Sequence, residues 1–176
     1  MKKFQNILVA LLIALSFFGC GKDDICASTT PTTPRLVIEF YDFSNSSVLK
    51  SVTNLKAQAV GKPQAIIFDE TAGDTARFRF TGTKISLPLD IAQETISYTL
   101  INNSDSTNPL VYNEDVVTFN YARREIYVSR ACGYKTNFVL DNITEAGSPD
   151  EQWIRDITIE TPNVDNEADV HVKIFF

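Results

Sequence analysis

Few residues in this chain have the chemistry for catalysis or metal binding. His171 is its one histidine, so a Ser-His-Asp or Cys-His arrangement would have to recruit it. It lies between Val170 and Val172, which alternation assigns to a buried strand face, and is therefore expected to point to solvent. A histidine-rich transition-metal site is excluded by count. Asp165, Glu167 and Asp169 alternate just ahead of it and could offer oxygens to calcium, as could Asp69, Glu70 and Asp74. Neither group has the spacing or turn glycine of an EF-hand loop, and acidic loops between strands account for both. There are seven glycines and no phosphate-cradling GxGxxG or GxxxxGK run. The expectation is of no catalytic residue, no metal and no cofactor. Tyr41, Tyr98, Tyr112, Tyr121, Tyr127, Tyr134 and Trp153 could serve as core or as exposed platforms for a sugar or protein partner. Arg123, Arg124, Arg130 and Lys135 group around a hairpin and could meet an acidic partner, or could be solvated strand ends.

The chain's first zones have a different use. Lys2 and Lys3 precede a run from Ile7 to Phe18 that is apolar except for Ser16, and Gly19 ends it. A basic start, a short apolar stretch and a small residue make an export signal over residues 1–19. The run is too short to span a bilayer, which takes about 20 residues. Gly19 followed by Cys20 resembles the lipobox of bacterial lipoproteins, with Phe17 where that motif usually has Leu. The resemblance implies lipidation of Cys20 and a mature chain that begins there. Acyl chains anchor by about 0.8 kcal/mol for each buried methylene, so two hold firmly where one is marginal. Lys22, Asp23 and Asp24 resemble the surface-export signal of Bacteroidetes lipoproteins; an ordinary polar linker is the alternative. With Cys20 committed to lipid, Cys26 and Cys132 remain as a pair in an oxidising compartment, and a disulfide between them is expected rather than two free thiols.

Loss of residues 1–19 removes two lysines and leaves 14 basic against 22 acidic residues, a net charge of −8. That balance argues against nucleic acid and against electrostatic docking on anionic lipid. Residues 20–34, ending in the Thr/Pro-rich ASTTPTTP, read as an extended tether, and residues 35–176 as one domain.

From Arg35 onward the apolar period is two. Leu36, Ile38 and Phe40 alternate with Val37, Glu39 and Tyr41. Val52 to Val60 is a second strand. Ala76, Phe78 and Phe80 alternate with Arg77 and Arg79, after a turn over residues 69–74. Lys84 to Leu89 carries Pro88 and belongs at an edge or strand end. Ile96, Tyr98 and Leu100 mark a further strand. Val116–Tyr121 and Glu125–Ala131 suggest a hairpin about Ala122 and Arg123. Tyr134–Leu140 follows, then a polar loop over residues 141–152. Trp153, Arg155, Ile157 and Ile159 share one face of the next strand, and Val170, Val172, Ile174 and Phe176 one face of the last. The expected fold is an all-β, antiparallel two-layer sandwich of about 8–10 short strands, immunoglobulin-like or related, with a closed barrel as the alternative.

PTTPRLVIEFYD (31–42), KISLPLD (84–90), YARREIYVSRACGYKTNF (121–138) and HVKIF (171–175) together resemble an uncharacterised lipoprotein family of Bacteroidetes, over essentially the whole mature chain. The family has no assigned activity to carry over. It implies a lipoprotein with a DDIC segment, a second cysteine in ACGYK and an all-β domain. The expected role is non-enzymatic: an outer-membrane, cell-surface lipoprotein, or one on the periplasmic face, that binds or assembles in a cell-envelope complex. Its expected partners are the membrane through Cys20 and an envelope protein, and not nucleic acid. A glycan-binding module of a nutrient-uptake system is the first alternative, and a cryptic hydrolase with two suitably spaced carboxylates is the second.

Overall fold

The computed structural model describes residues 25–108, 111–147 and 152–176. Eleven strands lie among them: β1 (Leu36–Asp42), β2 (Asn45–Leu49), β3 (Val52–Ala59), β4 (Phe80–Gly82), β5 (Lys84–Leu87), β6 (Thr95–Asn102), β7 (Asn113–Ser129), β8 (Gly133–Gly147), β9 (Asp156–Ile159), β10 (Asn163–Val164) and β11 (Val172–Phe175). They form two sheets, one ordered β2-β1-β11-β9 with β5 also on β1, the other β10-β8-β7-β6-β3-β4. The molecule is the expected sandwich; neither sheet closes into a barrel.

β1 is the centre of the first sheet: Leu36, Val37, Ile38 and Phe40 are buried, and the other three residues are half-buried. Leu36 to Glu39 pair antiparallel with β5, Tyr41 and Asp42 reach β2, and Ile38 to Tyr41 pair with β11 on the other side. The β1–β11 ladder is parallel, so the first and last strands of the chain lie side by side. A parallel pair cannot be closed by a short turn; here the whole domain is the crossover. Glu39 and Lys84, which are register partners, form a 2.8 Å ion pair. Tyr41 donates to the same carboxylate. Burial alone would raise the Glu39 pKa; the Lys84 and Tyr41 hydrogen bonds, with the Lys84 and Lys173 charges, outweigh it and hold it below the usual range.

In the second sheet β6 and β7 pair from Thr95↔Asn120 to Asn102↔Asn113. Tyr98, Leu100, Val117, Phe119 and Tyr121 go to the core, while Ser97 and Thr118 share a 2.7 Å hydrogen bond on the opposite face. β3 breaks its own alternation. Asn54 has φ +45°, its N–H donates to Thr81 Oγ1, and the β3–β4 register shifts between Val52 and Leu55. The extra residue lets Val52 and Leu55, three apart, both point inward. Trp153 closes the core with its ring against Phe40 and Phe176 and its indole N–H on Leu100 O at 3.2 Å.

Several strand assignments need correction. Ala76–Phe78 is a 3₁₀ turn rather than a strand. Its Arg77 carbonyl accepts from the Phe68 and Asp69 N–H groups, and Phe78, Arg77 and Arg79 are all half-buried, so five alternating residues did not mean two distinct faces. The hairpin turn is at Arg130–Cys132, not Ala122–Arg123. Residues 122–125 are exposed on both faces, so alternation disappears there while the strand continues. β8 likewise runs past Leu140 to Gly147 into the stretch read as a loop. Ahead of β9, Trp153 and Ile154 are both buried, since no ladder imposes a period there.

The chain divides into two compact units. One joins the hairpin tip Ile126–Lys135 to the N-terminal segment ending at Pro31; the other comprises Thr32–Glu125 and Thr136–Phe176. The tether read over residues 20–34 thus belongs in part with the tip of a hairpin.

Candidate functional site

Cys26 and Cys132 are disulfide-bonded, 106 positions apart in sequence and 4.9 Å apart at Cα, within the separation that this crosslink takes without backbone distortion. Local hydrogen bonds shape both sides. Cys132 N–H caps onto Ser129 Oγ at 3.1 Å, Gly133 takes φ +70° to close the turn, and Thr30 N–H bonds back to Ala27 O. Cys20, Lys22, Asp23 and Asp24 lie outside the described residues.

The same unit carries the most exposed aromatic pair of the protein's described part. Tyr127 and Tyr134 are 59% and 68% exposed and stack edge to face at 5.4 Å between ring centres. Ile25, next to Cys26, is 83% exposed. The charged residues among the unit's described residues are Arg130 and Lys135, with no acid. Two rings inclined at 66° do not make the flat shelf on which a sugar stacks. The tip is amphipathic, with exposed aromatic and apolar side chains and two basic residues.

Most of the other aromatics are spent on the fold, although Tyr112 and Phe43 are exposed. Tyr98 and Tyr121 are buried. Tyr98 donates to Pro88 O at 2.6 Å. The Tyr121 hydroxyl accepts from Asp90 N–H at 2.8 Å and donates to Asp90 O at 3.0 Å. Burial pushes the Tyr121 hydroxyl up to about 12, and that of Tyr98 further. Tyr41 packs on Phe175, and Tyr112 bonds to Glu114. Arg123 donates to Ile91 O and sits 4.0 Å from Glu94, so it helps hold the loop before β6. Arg124 is exposed.

His171 is a correction: it is fully buried, not exposed. Alternation holds only inside a ladder, and His171 precedes the first registered residue of β11. Its N–H donates to Val37 O, and the Val37 N–H donates to its Nδ1 at 2.9 Å. An accepting Nδ1 carries no proton, so the ring is neutral with its hydrogen on Nε2. That atom is buried with no hydrogen-bond partner among the described residues. Burial pushes the pKa down against the opposing pull of Asp169, Asp165 and Glu167. The residue is a strut between β1 and β11.

The acidic loops are organised internally. Asn166 donates to Asp165 and Asp169 and accepts the Ala168 and Asp169 N–H groups, while Glu167 accepts the Arg35 N–H. Asp69 is held below its usual pKa by the hydroxyl and N–H of Thr71. Among the described residues no three His, Cys, Asp or Glu side chains are grouped to hold an ion.

One residue escaped the sequence reading. Asp115 is fully buried, its Oδ2 accepting the Ile154 N–H at 2.9 Å. The signal was present: the parity of Tyr121, Phe119 and Val117, continued back one step, lands on it. Burial first, then the Asp115 and Asp156 charges, push the Glu145 carboxyl up. A shallow cleft of about 380 Å³ has Glu94 and Asp141 on its walls with Asn120, Tyr121 and Leu140.

No curated protein and no solved structure matches the chain. A family match begins at Ile67 and runs to Phe176, so it takes in KISLPLD, ACGYK with Cys132, and the last strand, while PTTPRL and Cys26 precede it. Over those residues, more than half its length, the chain belongs to a Family of unknown function, DUF6452.

Proposed function

We propose that the protein is an exported lipoprotein, held at the outer membrane by lipid on Cys20 and displayed at the cell surface, with a binding or assembly role in an envelope complex. The observation that carries this reading is the Cys26–Cys132 disulfide. Such a crosslink persists in oxidising, extracytoplasmic compartments, and it begins six positions after the cysteine that the lipobox-like sequence marks for lipidation. The resemblance to Bacteroidetes lipoproteins, and Lys22, Asp23 and Asp24 directly after Cys20, support the surface location.

A binding role fits how the polar groups are used. The histidine, Asp115 and Tyr121 are all engaged in holding the fold. Exposed apolar side chains group at one sheet edge: Val48 and Leu49 of β2, with Phe43 just ahead of it. Edge strands that show apolar side chains are usually covered by something in use.

Two measurements test the reading. In the native host, wild type partitions into the detergent phase and Cys20→Ser into the aqueous phase; equal partitioning contradicts the anchor. Membranes solubilised gently give a discrete species larger than the monomer; a monomer under all mild detergents contradicts the assembly role.

A further inference from the structure

We infer that the hairpin tip is a membrane-contact element: Tyr127, Tyr134 and Ile25 lie in the interfacial layer of the bilayer that holds the lipid anchor. The inference rests on the reading of Cys20 as the lipidated residue, and it goes further by assigning a lipid surface to a specific part of the fold.

Chain length is the first argument. Six backbone steps separate Cys20 from Cys26, and a fully extended chain covers at most about 3.5 Å per residue, or ~21 Å in all. With lipid on Cys20, the residue lies at headgroup level. The disulfide then keeps Cys132 within the same reach, although it is 106 residues away in sequence. A tether without the crosslink would impose no such limit on the tip.

Composition is the second argument. Tyrosine is enriched where bilayer meets water, because its ring is apolar and its hydroxyl wants water. Tyr134 is two residues from Cys132 and Tyr127 five, and both rings are largely exposed. Ile25 is exposed beside the other half of the disulfide. The charge is the third argument. The whole chain carries −6, yet the described residues of this unit carry Arg130 and Lys135 and no acid. A basic residue close to an anionic surface is attracted to it. Asp23 and Asp24 lie between Cys20 and Cys26, so the charge argument rests on the hairpin tip Ile126–Lys135, whose two basic residues and lack of acid suit a phosphate-bearing surface. The acyl chains supply the affinity; the tip fixes which part of the protein rests on the bilayer.

The test uses lipidated, full-length protein extracted from membranes and reconstituted in vesicles of phosphatidylethanolamine and phosphatidylglycerol, plain or with brominated acyl chains. Wild type sets the baseline, since its one tryptophan, Trp153, is buried in the core. Tyr134→Trp, with Tyr127→Trp as a second variant, reports the tip. The added emission is expected to shift to the blue on reconstitution and to lose most of its intensity in the brominated vesicles. Added emission that stays water-like and equal in both vesicles, with lipid on Cys20 verified by intact mass, overturns the inference and leaves the anchor standing. That result would fit a protein partner at the tip. A mass without lipid overturns the anchor, and the inference with it.

Discussion

Removing the disulfide is the perturbation with the largest effect that can be worked from the structure. The Cys26→Ser, Cys132→Ser double variant opens a loop of 106 residues. If the N-terminal segment stays in place without the crosslink, the loop-closure entropy regained by the unfolded chain is worth about 5 kcal/mol. If the segment frays, the native state also regains freedom. The fraying is bounded, because Thr33 Oγ1 still accepts the Thr136 N–H at 3.0 Å. The crosslink then closes only roughly ten residues beyond an existing contact, and the difference between a loop of that size and the full one is about 2 kcal/mol. The expected loss is therefore about 2–5 kcal/mol. Urea unfolding followed by Trp153 fluorescence reads it, because that indole packs on Phe40 and Phe176 and emits differently once exposed. With a slope of about 2 kcal/mol/M the midpoint falls by about 1–2.5 M. A midpoint equal to that of the oxidised wild type would refute the reasoning, since it would mean that the crosslink constrains the folded chain as much as the unfolded one.

Three further outcomes follow from single side chains. Because burial lowers the His171 pKa, the fold prefers the neutral ring: its stabilisation is complete above the unfolded value of about 6.5 and is lost as pH falls from there toward the folded value. Thermal melting should drop between pH 7.5 and 5.5, and His171→Asn, less stable throughout, should flatten that slope; an unchanged slope in the variant contradicts the assignment. Tyr121→Phe removes the hydroxyl that satisfies both backbone groups of Asp90 and should cost about 1–3 kcal/mol by denaturant titration; wild-type stability would show that water replaces it freely. Gly82→Ala places a Cβ 2.6 Å from the Phe80 ring, which packs against Phe68, and should cost about 1–3 kcal/mol; a neutral result would mean that the ring moves aside.

What the sequence made legible was the part governed by local alternation. Leu36, Ile38 and Phe40, and Ile96, Tyr98 and Leu100, lie on half-buried strands whose apolar alternates are visible without knowing the partner. The Cys26–Cys132 pairing was legible because reading Cys20 as a lipid site left the other two cysteines as a pair. The misreadings share one physical origin, that a period of two exists only where a ladder has one face covered. At Ala122–Glu125 both faces are open, and the strand continues without a pattern. At Trp153–Ile154, and at His171 just ahead of β11, residues are buried against the period because the chain there lies outside a regular ladder. The bulge at Asn54 shifts parity within β3 and depends on Thr81 and Ser104, which are far away in sequence. Asp115 was reachable by parity, but its burial has meaning only with the Ile154 N–H, 39 residues away, that it accepts. The tip presented the opposite difficulty. Its tyrosines were visible as residue types, and only the fold brings their rings together beside the disulfide.

The most direct test of the central claim is protease shaving of intact cells of the native host, followed with an antibody to the domain and an outer-membrane lysis control. A surface-anchored protein loses its signal before lysis. Full protection in intact cells, with digestion only after lysis, would contradict surface display and leave the protein facing the periplasm.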